Sequence, residues 1–108
     1  WIEEYPGNPP DHTFGRFMRS IIGIYDYYHL LRNNDQTARV LSVYLTTVKD
    51  NMQLFRNPGG VYYYDLRNKR TYPSYQKIVV SELYFLTKMT QDSSFAIFAD
   101  TLKSDYWE

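Results

Sequence analysis

The sequence contains no cysteine, few histidines and no excess of charge of either sign. Without cysteine, and with His12 and His29 far apart, the usual structural zinc sites are excluded, so we expect no metal. Twelve Lys and Arg residues balance twelve Asp and Glu residues. The positive charge of a dedicated nucleic-acid-binding domain is therefore absent, and we expect no nucleic-acid partner.

Long apolar runs are also missing. No run approaches the roughly 20 residues that a membrane span requires, so we expect no membrane contact by this segment. The chain begins at Trp1 without a signal-like segment, which suggests a piece of a longer protein. Its 108 residues suit one compact domain, and we assign 1–108 to a single unit.

Apolar residues recur every three or four positions in four segments, which is the spacing of amphipathic helices. The first helix follows Pro9 and Pro10, with Asp11 or Thr13 as the expected N-cap. The second follows the Asn-Asn-Asp break at 33–35 and continues to about residue 55. Short connections favour an antiparallel pair. Their apolar faces comprise Phe14, Phe17, Met18, Ile21, Ile24, Tyr25, Tyr28 and Leu31, then Ala38, Leu41, Tyr44, Leu45, Val48, Met52 and Phe55.

The second half repeats this organisation after a short insert. Residues 61–64 are β-branched and aromatic and predict a strand, and a return strand at 70–72 would complete a small β-hairpin. Pro73 and Ser74 then begin a third helix, and the Asp-Ser-Ser sequence at 92–94 separates it from a fourth. The predicted fold is mainly α, with two antiparallel αα-hairpins that resemble part of an α/α toroid and a β-hairpin between helices two and three.

Twelve tyrosines are the most unusual feature of the composition. Most fall on helix faces, but Tyr5, Tyr64 and Tyr75 lie near predicted turns, where the topology can gather them with Glu4 and Arg67. Phenols and a carboxylate around an arginine could transfer protons beside a substrate carboxylate. The alternative is that these aromatic residues pack against helix ends.

Two further interpretations concern the predicted hairpin. Asp65 is expected to cap a turn or pair with a neighbouring arginine rather than act as a base. Arg67, Lys69 and Arg70 form a small basic group, which could contact an anionic polysaccharide or simply be a solvated hairpin tip.

Four sequence segments, in order, resemble the carboxyl-terminal domain of the D-glucuronyl C5-epimerases. They are Glu-Glu-Tyr-Pro at 3–6, Phe-Met-Arg-Ser-Ile-Ile-Gly-Ile-Tyr-Asp at 17–26, Tyr-Asp-Leu-Arg at 64–67, and Tyr75 near the start of a helix. The resemblance covers nearly the whole chain. It implies an α/α domain that follows β-rich domains and converts glucuronate to iduronate units in heparosan or heparan-type chains, without a cofactor.

The resemblance also implies roles for the loop residues. Tyr5, Tyr64 and Tyr75 match the catalytic tyrosines, and Glu4 matches a glutamate that acts with Tyr75 as an acid-base pair. Arg67 matches an arginine expected to hold the uronate carboxylate. The implied partners are an acidic, uronate-containing polysaccharide and the preceding domains of the parent chain, with a homodimer of the parent left open.

The chain departs from the family pattern on the third helix, where Gln76 and Val79 stand in place of histidines. Because both positions follow Tyr75 closely, two other functions stay open. One is a non-catalytic domain that binds acidic glycan. The other is a helical scaffold for a protein partner, in which case the three tyrosines would lie far apart.

Overall fold

A computed structural model of the chain describes residues 13–30 and 35–107. Over these residues the chain forms four α-helices, so the prediction of a mainly helical fold is confirmed. They are α1 (Phe14–Leu30), α2 (Asp35–Asn51), α3 (Pro73–Thr90) and α4 (Ser94–Asp105), and a short 3-10 helix at Met52–Phe55 continues α2.

The helices form two pairs, as the short connections predict. The start of α3 meets the end of α4, because the Gln76 side chain donates a hydrogen bond to the carbonyl oxygen of Leu102 at 3.0 Å. Farther along α3, the Tyr84 hydroxyl donates to the carboxylate of Asp100. These two contacts run in opposite directions along the two helices, so α3 and α4 are antiparallel.

In the other pair, α1 begins against the segment that follows α2. The rings of Phe14 and Phe55 stack with centroids 4.6 Å apart, and Phe17 packs against Tyr44 at 5.7 Å. Tyr28, in the last part of α1, lines a hollow together with Ala38 of α2. The pair is therefore also antiparallel.

Local chemistry sets the bounds of α3 and α4. Pro73 occupies the first position of α3, where its missing N–H removes no helical hydrogen bond. After α3, Gln91 takes the left-handed conformation with φ 58°, and its N–H donates to the carbonyl of Thr87 at 2.7 Å. The carboxylate of Asp92 then accepts a hydrogen bond from the N–H of Ser94 at 2.9 Å, which satisfies a free donor at the start of α4.

The expected cap of α1 is not supplied by Thr13. Its hydroxyl oxygen is buried and has no hydrogen-bond partner, and its backbone instead forms an isolated antiparallel bridge with Asp65. The N–H of Phe14 donates to the carbonyl of Tyr64 at 3.2 Å. Asp11, the alternative cap, lies outside the described residues.

The predicted β-hairpin is wrong, since no strand forms at 61–64 or 70–72. The backbone of the first segment bonds to several parts of the molecule. The N–H of Tyr62 donates to the Gln76 side chain at 3.1 Å and that of Tyr63 to the carbonyl of Phe55 at 2.8 Å. The N–H of Tyr64 does reach the supposed partner segment, at the carbonyl of Arg70, 2.6 Å away. The insert is thus a loop attached to α1, the 3-10 helix and α3.

The core lies between the two helix pairs and under this loop. Phe14 occupies its centre, stacked on Phe55 and in edge contact with Tyr62 and Phe98. The buried apolar side chains are Phe14, Phe17, Met18, Ile21, Leu41, Val48, Met52, Phe55, Val61, Tyr62, Val79, Val80, Leu83, Leu86, Phe95, Phe98, Ala99 and Leu102.

Within the described ranges, no helix has both the length and the apolar character needed to cross a bilayer.

Candidate functional site

Three tyrosine rings meet beside the start of α3. Tyr64 lies 5.7 Å from Tyr75 and 5.0 Å from Tyr72, and Tyr72 lies 5.9 Å from Tyr75, all measured between ring centroids. Tyr72 and Tyr75 are 37% and 40% exposed, so the cluster lies at the surface rather than in the core. The structure therefore brings together two of the three predicted catalytic tyrosines, Tyr64 and Tyr75, and adds Tyr72.

The backbone around the cluster is held by three elements. The carbonyl of Tyr64 accepts from the N–H of Phe14, at the start of α1, and its N–H donates to Arg70. On the other side, the N–H of Tyr75 donates to the carbonyl of Tyr72 at 3.0 Å, within the turn that begins α3. Two tyrosines thus sit on the first turn of a long helix and its preceding residue, and the third sits on a loop tied to α1.

A buried carboxylate shapes the loop that carries Tyr64. Asp65 is fully buried and accepts hydrogen bonds from Arg70 at 3.1 Å (backbone N–H), 3.3 Å (Nε) and 3.0 Å (guanidinium NH2). Asn68 donates to it at 3.4 Å. Burial raises the pKa of Asp65, but the hydrogen bonds and charge of Arg70 outweigh it and the net shift of the pKa is downward. The expectation that Asp65 pairs with a neighbouring arginine is confirmed.

A surface hollow of about 350 Å³ opens at the cluster, lined by Tyr64, Arg70, Tyr72, Ser74 and Tyr75. The guanidinium carbon of Arg70 lies 5.5 Å from the centroid of the Tyr64 ring, close enough for a cation–π contact. A hollow with three phenols and a guanidinium can bind an anion and exchange protons with it.

The arginine predicted to bind the substrate carboxylate, Arg67, is not the arginine that lines the hollow. Arg67 is exposed on the turn after Asp65 and is not among the described residues that line the hollow, whereas Arg70 is. Tyr72 is a lining residue that the sequence did not predict, and Arg70 was predicted only as a member of the basic group with Arg67 and Lys69. The signal for Arg70 was its place in a short basic turn that returns to Asp65, and the signal for Tyr72 was its position directly before Pro73.

Two predicted site residues, Glu4 and Tyr5, lie outside the described residues. Their proposed roles therefore rest on the sequence resemblance alone.

A second carboxylate, that of Glu82, is partly buried and acts electrostatically on Tyr62. Glu82 of α3 accepts a hydrogen bond from Arg19 of α1 at 3.2 Å, and its other carboxylate oxygen is buried without a partner. Burial raises the pKa of Glu82 more than the charge and hydrogen bond of Arg19 lower it. Burial is also the largest cause that raises the pKa of Tyr62, followed by the negative charge of Glu82. Tyr62 is thus kept protonated beneath the cluster.

The two positions at which the chain departs from the family pattern are both buried. Gln76 is 1% exposed; its Oε1 accepts from the N–H of Tyr62, and its Nε2 donates to the carbonyls of Leu102 and Tyr106 at 3.0 and 3.2 Å. Val79 is 1% exposed and belongs to the core. Gln76 and Val79 therefore hold α3 in place and do not line the tyrosine hollow.

Metal binding has no support from the residues that the structure describes. Among them, no group of three or more His, Cys, Asp or Glu side chains could hold a metal ion.

Comparison with known proteins gives one family. The family model described as D-glucuronyl C5-epimerase C-terminus matches residues 1–104. Neither a search of curated proteins nor a search of solved structures gave a match. The matched range includes the tyrosine hollow and all four helices up to the last turn of α4.

Proposed function

The chain belongs to the D-glucuronyl C5-epimerase C-terminus family, and we propose that it forms the catalytic part of a uronyl C5-epimerase that acts on heparosan or heparan-type polysaccharide. The observation that carries the proposal is the contact of Tyr64 with Tyr75, 5.7 Å between ring centroids, at a hollow that also holds Arg70. Two of the tyrosines for which the family resemblance implies a catalytic role are thus neighbours.

The reaction breaks the C5–H bond of a glucuronate unit and forms a new C5–H bond on the opposite face of the sugar ring. The electron pair of the broken bond is delocalised onto the uronate carboxylate, which then carries additional negative charge. One side chain takes the proton and another returns one, so the atoms and charges balance without an oxidant. A positive group beside the carboxylate stabilises the intermediate and thereby lowers the barrier.

The roles follow the family assignment. Glu4 and Tyr75 act as the acid-base pair, with Tyr5 and Tyr64 as further catalytic phenols, and Arg67 holds the uronate carboxylate. Arg70 is a second candidate for binding the uronate carboxylate, because it lines the hollow. Its pairing with Asp65 fixes its guanidinium beside the Tyr64 ring. A phenol removes a proton at neutral pH only if its pKa falls below the ordinary value of about 10, and a nearby arginine favours that shift.

The two helix pairs would form one part of an α/α toroid, completed by preceding helices and domains of the parent chain. The isolated segment is therefore expected to be inactive, since part of the substrate groove would come from those domains. Exposed apolar side chains on α3, among them Ile78 and Phe85 at 45% each, are consistent with further helices packing there.

The test is deuterium exchange in heavy water. The full-length parent is incubated with heparosan, and NMR or mass spectrometry follows incorporation of deuterium at carbon five. Exchange that depends on Tyr75 supports the proposal. The absence of exchange with heparosan, chondroitin-like and alginate-like polymers alike contradicts it.

A second candidate is a non-catalytic domain that binds acidic glycan. It is favoured by the pairing of Arg70 with the buried Asp65, because a guanidinium already bound to a carboxylate stabilises a reaction intermediate less strongly. This function predicts salt-sensitive binding of the polymer without exchange at carbon five, and weaker binding after Arg67→Ala.

A further inference from the structure

A second group of aromatic and cationic side chains lies where the start of α3 meets the end of α4. Trp107, which follows α4, is 46% exposed. The amino groups of Lys77 and Lys103 lie 5.2 and 5.0 Å from the centroid of its ring. Lys103 also lies 5.9 Å from the centroid of the Tyr84 ring. We call Lys77, Lys103 and Trp107 the Lys-Trp cluster.

The position of the cluster is fixed by the buried Gln76. Its Nε2 donates to the carbonyl of Tyr106, and the N–H of Tyr106 donates to the carbonyl of Leu102. These bonds hold the backbone directly before Trp107 against the start of α3, where Lys77 directly follows Gln76. The three side chains therefore meet because the end of α4 is tied to the start of α3.

The charges of the cluster are available to a ligand. Both lysines are exposed, and neither forms an ion pair with a carboxylate of residues 13–30 or 35–107. The two acidic residues of α4 have other partners, since Asp100 accepts a hydrogen bond from Tyr84 and Asp105 pairs with Arg56. Cations at the face of an aromatic ring keep their attraction for anions, since the ring carries no net charge.

Two hollows that share Ser74 lie at the start of α3, one at the tyrosines and one beside Lys77 of the cluster. A second hollow of about 300 Å³ is lined by Pro73, Ser74, Gln76, Lys77 and Tyr106, and Ser74 also lines the tyrosine hollow. The first residues of α3 thus separate two neighbouring hollows, one bounded by Tyr75 and the other by Lys77. A polymer bound at the tyrosines can cross the start of α3 and reach the Lys-Trp cluster.

We propose that the Lys-Trp cluster is a second binding site for the acidic glycan, one that holds sugar units outside the unit that reacts. The proposal rests on the proposed function for the identity of the ligand. Carboxylates of neighbouring uronate units pair with Lys77 and Lys103, and the exposed part of the Trp107 ring packs against the apolar face of a sugar ring. The site would make binding depend on chain length, because only a long oligosaccharide reaches both hollows.

The experiment measures binding of heparosan oligosaccharides to the 108-residue chain by titration calorimetry at low salt. The variants are Lys77→Ala with Lys103→Ala, and Trp107→Ala. The matched control is Arg39→Ala with Lys88→Ala, which also removes two exposed positive charges but away from the cluster. Thermal unfolding followed by circular dichroism verifies that each variant is folded.

We expect the double lysine variant to weaken decasaccharide binding about tenfold, since each exposed charge contact contributes up to about fivefold. Trp107→Ala should weaken it as well. The control pair should change it less than about twofold, and an uncharged maltodecaose should not bind. Equal weakening by the two double variants, or no detectable decasaccharide binding by the unmodified chain, would overturn the proposal.

The exchange assay on the full-length parent separates this site from the proposed reaction. If deuterium enters carbon five but the double lysine variant binds like its control, the second site fails and the epimerase function stands. If no deuterium enters but the selective loss of decasaccharide binding persists, the epimerase function fails and the glycan-binding site stands.

Discussion

The rings of Tyr64 and Tyr75 lie 5.7 Å apart with an angle of 31° between their planes, although one belongs to a loop and the other to the first turn of α3. The contact depends on the loop conformation, which is held by the hydrogen bonds from Arg70 to the buried Asp65. The geometry of the phenols is therefore coupled to the Arg70–Asp65 ion pair, whose arginine also lines the hollow.

The first prediction concerns the hydroxyl of Tyr75. In the full-length parent, Tyr75→Phe should lower the rate of deuterium exchange at carbon five by about 10²- to 10⁴-fold, the usual contribution of a general acid or base. The phenyl ring keeps the contact with Tyr64, so the affinity for heparosan should change little. Tyr72→Phe serves as the control at a neighbouring ring, and a comparable loss of rate in both variants would contradict a specific role for Tyr75.

The helices were predictable because each buries one apolar stripe. Phe14, Phe17 and Ile21 of the predicted stripe are buried, whereas Ile24, Tyr25 and Tyr28 towards the other end of α1 are only partly buried. Pro73 and Asp92 also mark the starts of α3 and α4 as expected, because their local chemistry suffices to begin a helix.

The loop was not predictable in the same way. The β-forming residues at 61–64 favour an extended backbone, but a hairpin also requires their N–H groups to find a neighbouring strand. Here the N–H of Tyr62 donates to the side-chain oxygen of Gln76, and the N–H of Tyr63 donates to the carbonyl of Phe55. Those partners lie on separate elements, and no local pattern reveals them. For the same reason the sequence pointed to Arg67, whereas the return of the chain to Asp65 brings Arg70 to the hollow.

The second prediction concerns Gln76, where the family pattern has histidine. Gln76→His should lower the free energy of unfolding by about 1–3 kcal/mol, because an imidazole has two nitrogens and cannot replace all three hydrogen bonds of the amide. Urea denaturation measures this loss, and Gln53→His, at an exposed position, is the control. Because the Gln76 side chain is buried, the substitution should add no group to the tyrosine hollow. Equal denaturation midpoints for the variant and the unmodified chain would refute the assigned role.

The third prediction concerns the ion pair between Arg56 and Asp105. Arg56 donates two hydrogen bonds to the carboxylate, at 2.8 and 3.1 Å, and the N–H of Gly59 donates a third at 3.2 Å. Asp105→Asn should destabilise the chain by about 1–2 kcal/mol at pH 7, a modest value because the arginine is 39% exposed.

The pH dependence of this variant has a definite sign. The hydrogen bond from Arg56 is the main cause that lowers the pKa of Asp105, so the pair stabilises the fold above the unfolded pKa of about 3.9. That stabilisation is lost as the pH falls through the lower, folded pKa. The difference in unfolding free energy between the unmodified chain and the variant should therefore be full at pH 7 and shrink below about pH 4. Asp26→Asn, at an exposed position of α1, is the matched control substitution.

The last prediction concerns Glu82, whose pKa is raised. Its contribution to the free energy of unfolding therefore changes with pH in the opposite direction to that of Asp105. Below the unfolded pKa of about 4.3 the carboxyl is protonated in both the folded and the unfolded chain. As the pH rises, the unfolded chain loses this proton first, because burial disfavours the charged form in the folded chain. Glu82 thus contributes a loss of stability that grows from about pH 4.3 until the folded pKa is passed.

Glu82→Gln removes this titration while keeping the side-chain length and an oxygen that accepts from Arg19. Unfolding free energies of the variant and the unmodified chain, measured by urea denaturation at several pH values between 4 and 8, should therefore diverge in favour of the variant as the pH rises and then run parallel. Asp105→Asn gives the contrasting curve, whose change lies at lower pH. One carboxylate oxygen of Glu82 is buried without a hydrogen-bond partner. If the difference in unfolding free energy between the variant and the unmodified chain stays constant from pH 4 to 8, burial of this oxygen does not raise the pKa of Glu82.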